Sequence, residues 1–503
     1  MIFLIPLLLF ISLSTTTVSA QEKPTINFNA ICKEAYQLVL SLQFEKGQQL
    51  IHQEQAKQPN NIVPDYIELY VYCLKAYLDE TRKSYDAYYK QKREVESKLK
   101  NVAGGNAYQD FFKGDIAMQS AFIKLKHKQF ASAAIDLNRA YTLISSNEKR
   151  YPDFILNKRN LSLLHAIIGT IPNDYKWLLK FASFSGTVLE AKLESTLFLL
   201  KTIEDNTWQH YRSDALIIYS FLDINFSIDD NTFQQLSTYY SYSVFKQLYQ
   251  KNPLVLNTRI MLAFARKEND IAISLLNTYR FDAGYYQWHY LDYLLGKAKI
   301  QRNDHDANLP LIRFLTNFKG RSNRKAAYQK LAWHFLINNR SDLYTYYLQK
   351  IPNTGDLLMD HDRLAQKEAE SDEVPNIFLL QARLLSDGGY YSKALASLDR
   401  GVQNAAWRNS RESLEYQYRY ARILHDKKEI DAAIVSYKKV IKEGEKFPYY
   451  FAANSSLQLG QIYESKGDNA TARHYYQQCL NMDFSEYRNS ITQKAKAGLG
   501  RTK

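Results

Sequence analysis

The spacing of apolar residues predicts helices along the whole chain. Nearly every segment carries apolar side chains at positions i, i+3, i+4 and i+7, which lie on one face of an α-helix, and the sustained alternation of a half-buried strand is absent. Polar breaks separate the helices in the middle of the chain at 228–230, 251–253, 304–306 and 338–339. We therefore predict an all-α protein.

The helical pattern also repeats at a constant interval near the C-terminus. A small residue is followed four positions later by an aromatic or apolar residue in three pairs: Ala394/Leu398, Ala433/Tyr437 and Ala472/Tyr476. The interval between successive pairs is 39 residues, from 433 − 394 and 472 − 433. A fixed period of this size is typical of helix pairs that bury their apolar faces only by stacking on one another. The pattern favours a scaffold that holds partners.

The last of the three copies is the most complete. Its order, with Leu459-Gly460 followed by Tyr463, Ala472 and Tyr476, resembles the tetratricopeptide repeat. The earlier copies depart from that pattern at the leading leucine, and the 39-residue period exceeds the usual length of about 34. The resemblance implies an α-solenoid of stacked antiparallel helix hairpins wound into a right-handed superhelix.

The strength of the resemblance varies along the chain and suggests a division into regions. The predicted regions are a signal peptide at 1–20, looser N-terminal helical repeats at 21–170, a degenerate helical-repeat region at 171–354, an acidic joint at 355–374 and the C-terminal repeat array at 375–503. The pattern assigns no repeat register between 177 and 350. The acidic joint fits either a hinge or one polar helix, and an apolar stripe that includes Leu357 and Leu364 favours the helix.

The first twenty residues have the features of a secretory signal. An apolar run of about eleven residues is followed by small residues and by Val18-Ser19-Ala20, although no Lys or Arg precedes the run. We expect cleavage before Gln21 and a periplasmic or extracellular location. No later stretch reaches 18 consecutive apolar residues, so we expect no transmembrane span in the mature chain.

The number of cysteines is small and odd, so at most one disulfide could form within the chain in an oxidising compartment. The three cysteines are Cys32, Cys73 and Cys479. Cys479 occupies a small-residue packing position of its repeat, so we interpret it as a buried side chain. Pairing of Cys32 with Cys73 requires that neighbouring hairpins align them within the short distance a disulfide allows, and the sequence leaves that open.

The charge of the chain narrows the class of partner. The formal net charge is +13, and the signal segment contributes none of it. An exported basic protein meets anionic lipid, acidic glycan or acidic protein segments more often than nucleic acid. We therefore expect a protein or peptide partner with acidic or C-terminal carboxylate groups, and no nucleic acid.

Motifs for catalysis or metal binding are absent from the sequence. The chain has no nucleophile elbow, HExxH, CxxC, Walker loop, dinucleotide fingerprint or calcium loop. His-Asp pairs occur at 305–306, 361–362 and 425–426, but a metal site needs further ligands that the sequence does not place beside them. We predict no catalytic residue, no cofactor and no metal.

The candidate binding residues follow from the resemblance alone. In tetratricopeptide repeats, the side chains that face a ligand come from set positions of the first helix of each hairpin. Among the positions of this chain that match, we take as partner-binding candidates Arg383, Tyr418, Arg422, His425, Asn454 and Gln461. Arg383 and Arg422 fall at the same position of adjacent repeats, so two guanidinium groups on one wall suit a carboxylate. The alternative is that the arginines line the groove as solvated side chains and bind no specific ligand.

The sequence thus predicts a noncatalytic, exported scaffold that binds proteins or peptides through the groove of a solenoid. A glycan-binding or glycan-processing helical protein is the alternative, because 39 tyrosines and 5 tryptophans offer many sugar-stacking surfaces. Exposed aromatic side chains beside paired carboxylates in one deep pocket would favour that alternative. A long, open polar groove would favour the scaffold.

Overall fold

The only extended regular structure in the described chain is helical. The computed structural model describes residues 23–102, 105–170, 185–226, 230–278, 284–371 and 373–502, and within them Thr25 and Asn61 form one isolated β-bridge. Helices that follow one another in sequence pack against each other, which confirms the predicted all-α solenoid. The predicted signal segment lies outside the described residues. None of the described helices is long and apolar enough to cross a membrane.

Antiparallel helix pairs build the first part of the structure, residues 30–226, which we call the N-terminal repeats and which extends beyond the predicted region 21–170. Their helices are α1 Ala30–Leu40, α2 Phe44–Lys57, α3 Val63–Asp79, α4 Arg82–Lys100, α5 Ala107–Lys126, α6 Phe130–Arg150, α7 Leu156–Thr170, α8 Val188–Glu204 and α9 Arg212–Phe226, with a 3-10 helix Asn206–Tyr211 before α9. Several begin at a side-chain cap, since Asn29, Thr81, Asn106 and Thr187 each accept a hydrogen bond from a backbone N–H of the first turn.

The interior of the N-terminal repeats is filled by the protein's own side chains. Helix α1 packs against α9 and the 3-10 helix, so the first and last elements of this part meet. Arg159 is buried there with two carboxylates, Asp115 and Asp214, and Tyr36 donates a hydrogen bond to Asp214 at 2.8 Å. This part of the solenoid therefore leaves no open groove along these side chains.

The middle of the chain continues as shorter hairpins. Its helices are α10 Asp230–Ser241, α11 Ser243–Lys251, α12 Pro253–Ala265, α13 Asn269–Thr278, α14 Tyr290–Arg302, α15 Asn308–Asn317, α16 Arg324–Ile337 and α17 Ser341–Leu348. Loops of this part dock on the N-terminal repeats. Glu80 accepts hydrogen bonds from the backbone N–H groups of Arg321 and Ser322, and Tyr286 donates to Asp79.

The C-terminal part holds one extra helix and then regular hairpins. Its helices are α18 Asp360–Ala369, α19 Ile377–Asp387, α20 Tyr391–Gln403, α21 Ser410–Asp426, α22 Ile430–Gly444, α23 Tyr450–Ser465, α24 Asn469–Asn481 and α25 Arg488–Arg501. The segment 355–374 thus contains a helix, α18, which packs against α16.

The same turn geometry recurs in nine hairpins of the described chain. A residue with positive φ follows the first helix of a hairpin at Leu42, Glu80, Lys128, Lys267, Asn303, Asn339, Gly389, Lys428 and Gly467. We call it the turn residue. It closes the end of the first helix as a left-handed cap. The turn residues assign the repeat register between 253 and 350, where the spacing is 36 residues (303 − 267 and 339 − 303) instead of 39.

Candidate partner-binding groove

The turn residue serves as a reference point for comparing the first helices of successive hairpins. Six residues before it (303 − 297, 339 − 333, 389 − 383, 428 − 422 and 467 − 461) lie Lys297, Trp333, Arg383, Arg422 and Gln461. Their helices, α14, α16, α19, α21 and α23, contact one another in this order. We call the surface that these positions form the groove wall. Two of the candidates, Arg383 and Arg422, are neighbours on it.

Arg383 lies on an aromatic ring of the preceding first helix. Its guanidinium carbon is 4.5 Å from the ring centroid of Trp333, which is a cation–π geometry. Trp333 is 9% exposed, and its indole N–H donates to the Glu368 carboxylate at 2.7 Å. Arg383 is only half-buried and makes no ion pair with a carboxylate of the described chain. Its hydrogen-bond donors remain open to a ligand.

Arg422 has one side-chain donor that lacks an acceptor. Its Nε is buried without a hydrogen-bond partner, and none of the carboxylates in the described ranges pairs with its guanidinium. Two carboxylates of the same helix are engaged with other cations: Glu415 accepts from Arg419 at 2.8 Å, and Asp426 pairs with Lys267, although the Asp426 charge also acts on Arg422. A buried donor without an acceptor is costly, so the site suits an added acceptor.

Tyr418 and His425, one to each side of Arg422 on α21, are largely buried. Tyr418 is 3% exposed and packs on Tyr450 and Phe451 with centroid distances of 5.6 and 5.3 Å. Its ring therefore supports the groove wall rather than presenting a free face. His425 lies 3.3 Å from the Tyr437 hydroxyl through Nδ1. Burial and the Arg422 charge lower the pKa of His425 to about 4, so it is neutral at pH 7.

The remaining candidates, Asn454 and Gln461, lie half-buried on α23. Asn454 accepts a hydrogen bond from Gln458 at 3.1 Å through its side-chain oxygen, which leaves its amide N–H₂ free to donate. Gln461 holds the register position of the arginines. This end of the groove wall is neutral and polar.

Several titrating groups on and beside the groove wall lie close to other cations. Burial and the nearby Lys297 lower the pKa of Lys330 to about 7. Burial, Lys330 and Lys297 lower the pKa of His361 to about 4. Burial and Arg422 lower the pKa of Lys494 on α25. Burial is the larger cause of each shift, and repulsion from a neighbouring cation adds to it. Asp362 and Glu368 offset part of the positive charge around Lys330.

Sequence reasoning missed Lys297, Lys330 and Trp333. Lys330 lies between the rings of Tyr293 and Trp333, at 5.3 and 5.7 Å from their centroids, and is 8% exposed. The turn residues Asn303 and Asn339 indicate where Lys297 and Trp333 lie in their repeats. Both asparagines stand in short polar runs that follow α14 and α16. A search for asparagine-containing turns at an interval of 36 would have found both.

The His-Asp pairs do not assemble a metal centre. Within the described ranges, no group of three or more His, Cys, Asp or Glu side chains is arranged to hold a metal ion. His361 contacts Asn323, while Asp362 accepts from the backbone N–H groups that begin α16. Each member of that pair thus has a separate structural contact.

All three cysteines are free thiols. Cys32 and Cys479 are buried, and Cys73 is partly buried. The pairing of Cys32 with Cys73 that the sequence left open is therefore not formed.

The fold and the groove wall together define an α-solenoid repeat protein. A tetratricopeptide repeat model matches the chain at residues 414–443 and 453–486, which fall on the hairpins α21/α22 and α23/α24. These two hairpins are therefore tetratricopeptide repeats, as the last copies of the 39-residue pattern predicted. No curated protein matches the chain.

Proposed function

We propose that the protein is an exported, noncatalytic scaffold that binds a protein or peptide along the groove wall. The observation that carries this proposal is the recurrence of Lys297, Trp333, Arg383 and Arg422 at one register position. A segment lying across α14, α16, α19 and α21 would meet one cationic or aromatic side chain at each first helix. Tetratricopeptide repeats in general bind protein partners, and the two matched hairpins supply the last part of this wall.

The partner should carry carboxylates. The arginines of the groove wall can hold a carboxylate through two parallel N–H···O bonds, and Arg422 has a donor without an acceptor. Either an acidic side chain or a C-terminal carboxylate fits that geometry. Peptides with a free or an amidated C-terminus, identical otherwise, would separate the two sources.

The experiment compares two double variants in the native envelope. Crosslinking followed by mass spectrometry would identify what the wild-type chain holds. Arg383→Ala with Arg422→Ala should weaken that complex about a hundredfold, because each charged hydrogen bond contributes roughly 1.5 kcal/mol or more. The matched control is Arg400→Ala with Arg473→Ala, which removes the same charge from exposed positions of the second helices α20 and α24. Equal binding by both variants would show that the groove wall is not the site.

Export is part of the proposal and rests on residues 1–20. The apolar run followed by Val18-Ser19-Ala20 supports cleavage before Gln21. N-terminal sequencing of the protein recovered from the periplasm or medium should then begin at Gln21. A product that begins at Met1 and remains in the cytoplasm would contradict export and leave the binding proposal intact.

Glycan binding is retained as a second candidate because of one cleft. A cavity of about 570 Å³ lies between the N-terminal repeats and the middle hairpins, lined among others by Phe44, Lys75, Asp79 and Tyr286. Aromatic rings beside polar groups suit a sugar. Tyr286→Ala should abolish oligosaccharide binding if this candidate is right, whereas the Arg383/Arg422 double variant should not affect it.

A further inference from the structure

Helix α18 is an addition to the hairpin series. The turn residues Asn339 and Gly389 are 50 positions apart (389 − 339), compared with 36 and 39 elsewhere in the second half of the chain. The extra length contains α18, which packs along α16, the first helix of the preceding hairpin. A segment of the chain thus lies on a first helix that helps to form the groove wall.

One end of α18 is fixed firmly. Asp362 is fully buried and accepts hydrogen bonds from the backbone N–H groups of Asn323 and Ala326 at 2.7 and 2.9 Å, which caps α16 from outside. Gln366 accepts from Lys325 at 2.7 Å. These contacts hold the first turns of α18 against the start of α16.

The other end of α18 places a carboxylate on the groove wall. Glu368 accepts from the indole N–H of Trp333 at 2.7 Å and from the amide of Gln329 at 2.6 Å. Arg383, stacked on the same Trp333 ring, and Lys330 both act on the Glu368 carboxyl with their charge. The wall therefore already holds one carboxylate, and that carboxylate belongs to the protein itself.

We propose that Glu368 is an internal competitor for an acidic residue of the partner, and that the partner's carboxylate replaces it at Trp333 and Arg383. This inference rests on the proposed function and identifies the ligand chemistry of the middle of the groove wall as a carboxylate. The exchange is local. Glu368 lies in the last turn of α18, next to the exposed Lys367 and Glu370, so it can leave while Asp362 keeps the start of the helix in place.

The test uses a defined probe rather than the unknown partner. A short fluorescein-labelled peptide in which glutamate alternates with alanine is titrated with the full chain, and its Kd is read from fluorescence anisotropy. Glu368→Ala removes the internal carboxylate from Trp333 and Arg383. The peptide should then bind about tenfold more tightly, because the hydrogen bond between Glu368 and Trp333 no longer has to be broken. Glu368→Gln, which keeps an oxygen for the Trp333 N–H but loses the charge, should give an intermediate Kd.

The matched control is Glu370→Ala. It removes an equal charge two residues away, where the carboxylate is exposed and accepts a hydrogen bond from Gln366. Its Kd should stay close to that of the wild type. If Glu368→Ala and Glu370→Ala tighten binding equally, or if Glu368→Ala leaves the Kd unchanged, the competition is absent and the inference is wrong.

The outcome is distinguishable from failure of the proposed function. If the Arg383/Arg422 double variant loses the native partner while Glu368→Ala behaves as the wild type, the scaffold proposal stands and only the competition fails. If the double variant keeps its partner while Glu368→Ala still binds the probe peptide more tightly, the carboxylate position exists but does not serve the native partner. Thermal melting of each variant confirms that the chain is folded in every arm.

Discussion

Arg159 and Asp115 form a buried ion pair in the interior of the N-terminal repeats, with 2.7 Å between Nη1 and Oδ1. The side chains are 7% and 1% exposed. The same guanidinium donates to Asp214 through Nε, and Tyr66 and Tyr70 donate to the second oxygen of Asp115 at 2.8 and 2.6 Å. One cation thus joins α5, α7 and α9 in a network whose two carboxylates also accept hydrogen bonds from tyrosine hydroxyls.

Removal of this cation should be strongly destabilising. Arg159→Met would leave two buried carboxylates without their charge partner, at an expected cost of about 3–5 kcal/mol. Urea unfolding, together with hydrogen exchange in α5 and α7, measures the loss. The control is Arg139→Met, since Arg139 pairs with Glu96 from a side chain that is 48% exposed, and it should cost about 1 kcal/mol or less. Similar stability of the two variants would show that the buried pair contributes no more than a surface pair.

Close packing inside the last repeat makes a second prediction. A Cβ at Gly460 would lie 2.5 Å from Cε1 of Tyr476, whereas one at Gly500 would have no neighbour within 4 Å. Gly460→Ala should therefore destabilise by about 1–3 kcal/mol through overpacking. Gly500→Ala, near the end of α25, should stabilise by a few tenths to about 1 kcal/mol. Thermal unfolding of the two variants should shift in opposite directions, and a shift in the same direction would contradict the packing argument.

The repeat pattern could be predicted from the sequence because it depends on side-chain size, whereas the turn residue depends on backbone conformation. The 39-residue pattern is visible in the sequence because Gly460, Ala472 and Tyr476 must have particular sizes where two helices cross closely. The turn residue is constrained in backbone conformation but not in type, since Leu42, Glu80 and Asn303 all adopt it. The register of the middle repeats was therefore hidden, although their helices were expected.

The candidate site divides in the same way. Arg383 and Arg422 were identified because the resemblance assigns ligand-facing positions within the regular array, where the two arginines occupy the same position of adjacent repeats. Trp333 was missed because the insertion of α18 breaks the interval between its repeat and the next. The contact of Glu368 with Trp333 joins residues 35 positions apart across that insertion, and no local pattern encodes such a contact.

The thiols should be unreactive until the chain unfolds. Burial raises the pKa of Cys32 and of Cys479 to about 12, and it also raises the pKa of Cys73. The thiolate is the reactive form, so Ellman's reagent should react slowly with the native protein and should titrate three thiols after denaturation. The mass should be unchanged by reduction. Rapid reaction of a native thiol, or a loss of free thiols in protein isolated from its compartment, would contradict this prediction.

The Lys330 amine should make stability depend on pH. Burial and the Lys297 charge lower the pKa of Lys330 to about 7, compared with about 10.4 for an unfolded lysine. Between pH 7 and about 10.4 the unfolded chain binds a proton that the native state has released, so the free energy of unfolding rises with pH over this range. At pH 7 and below, the buried charge of Lys330 lowers the free energy of unfolding. Lys330→Met should therefore raise the melting temperature near pH 6 and flatten the rise of the melting temperature between pH 7 and 10, relative to the wild type.

Lys438→Met, at an exposed position of α22, is the control and should leave the dependence of the melting temperature on pH unchanged. Parallel pH profiles for the wild type and Lys330→Met would mean that Lys330 keeps its proton in the native state over this range.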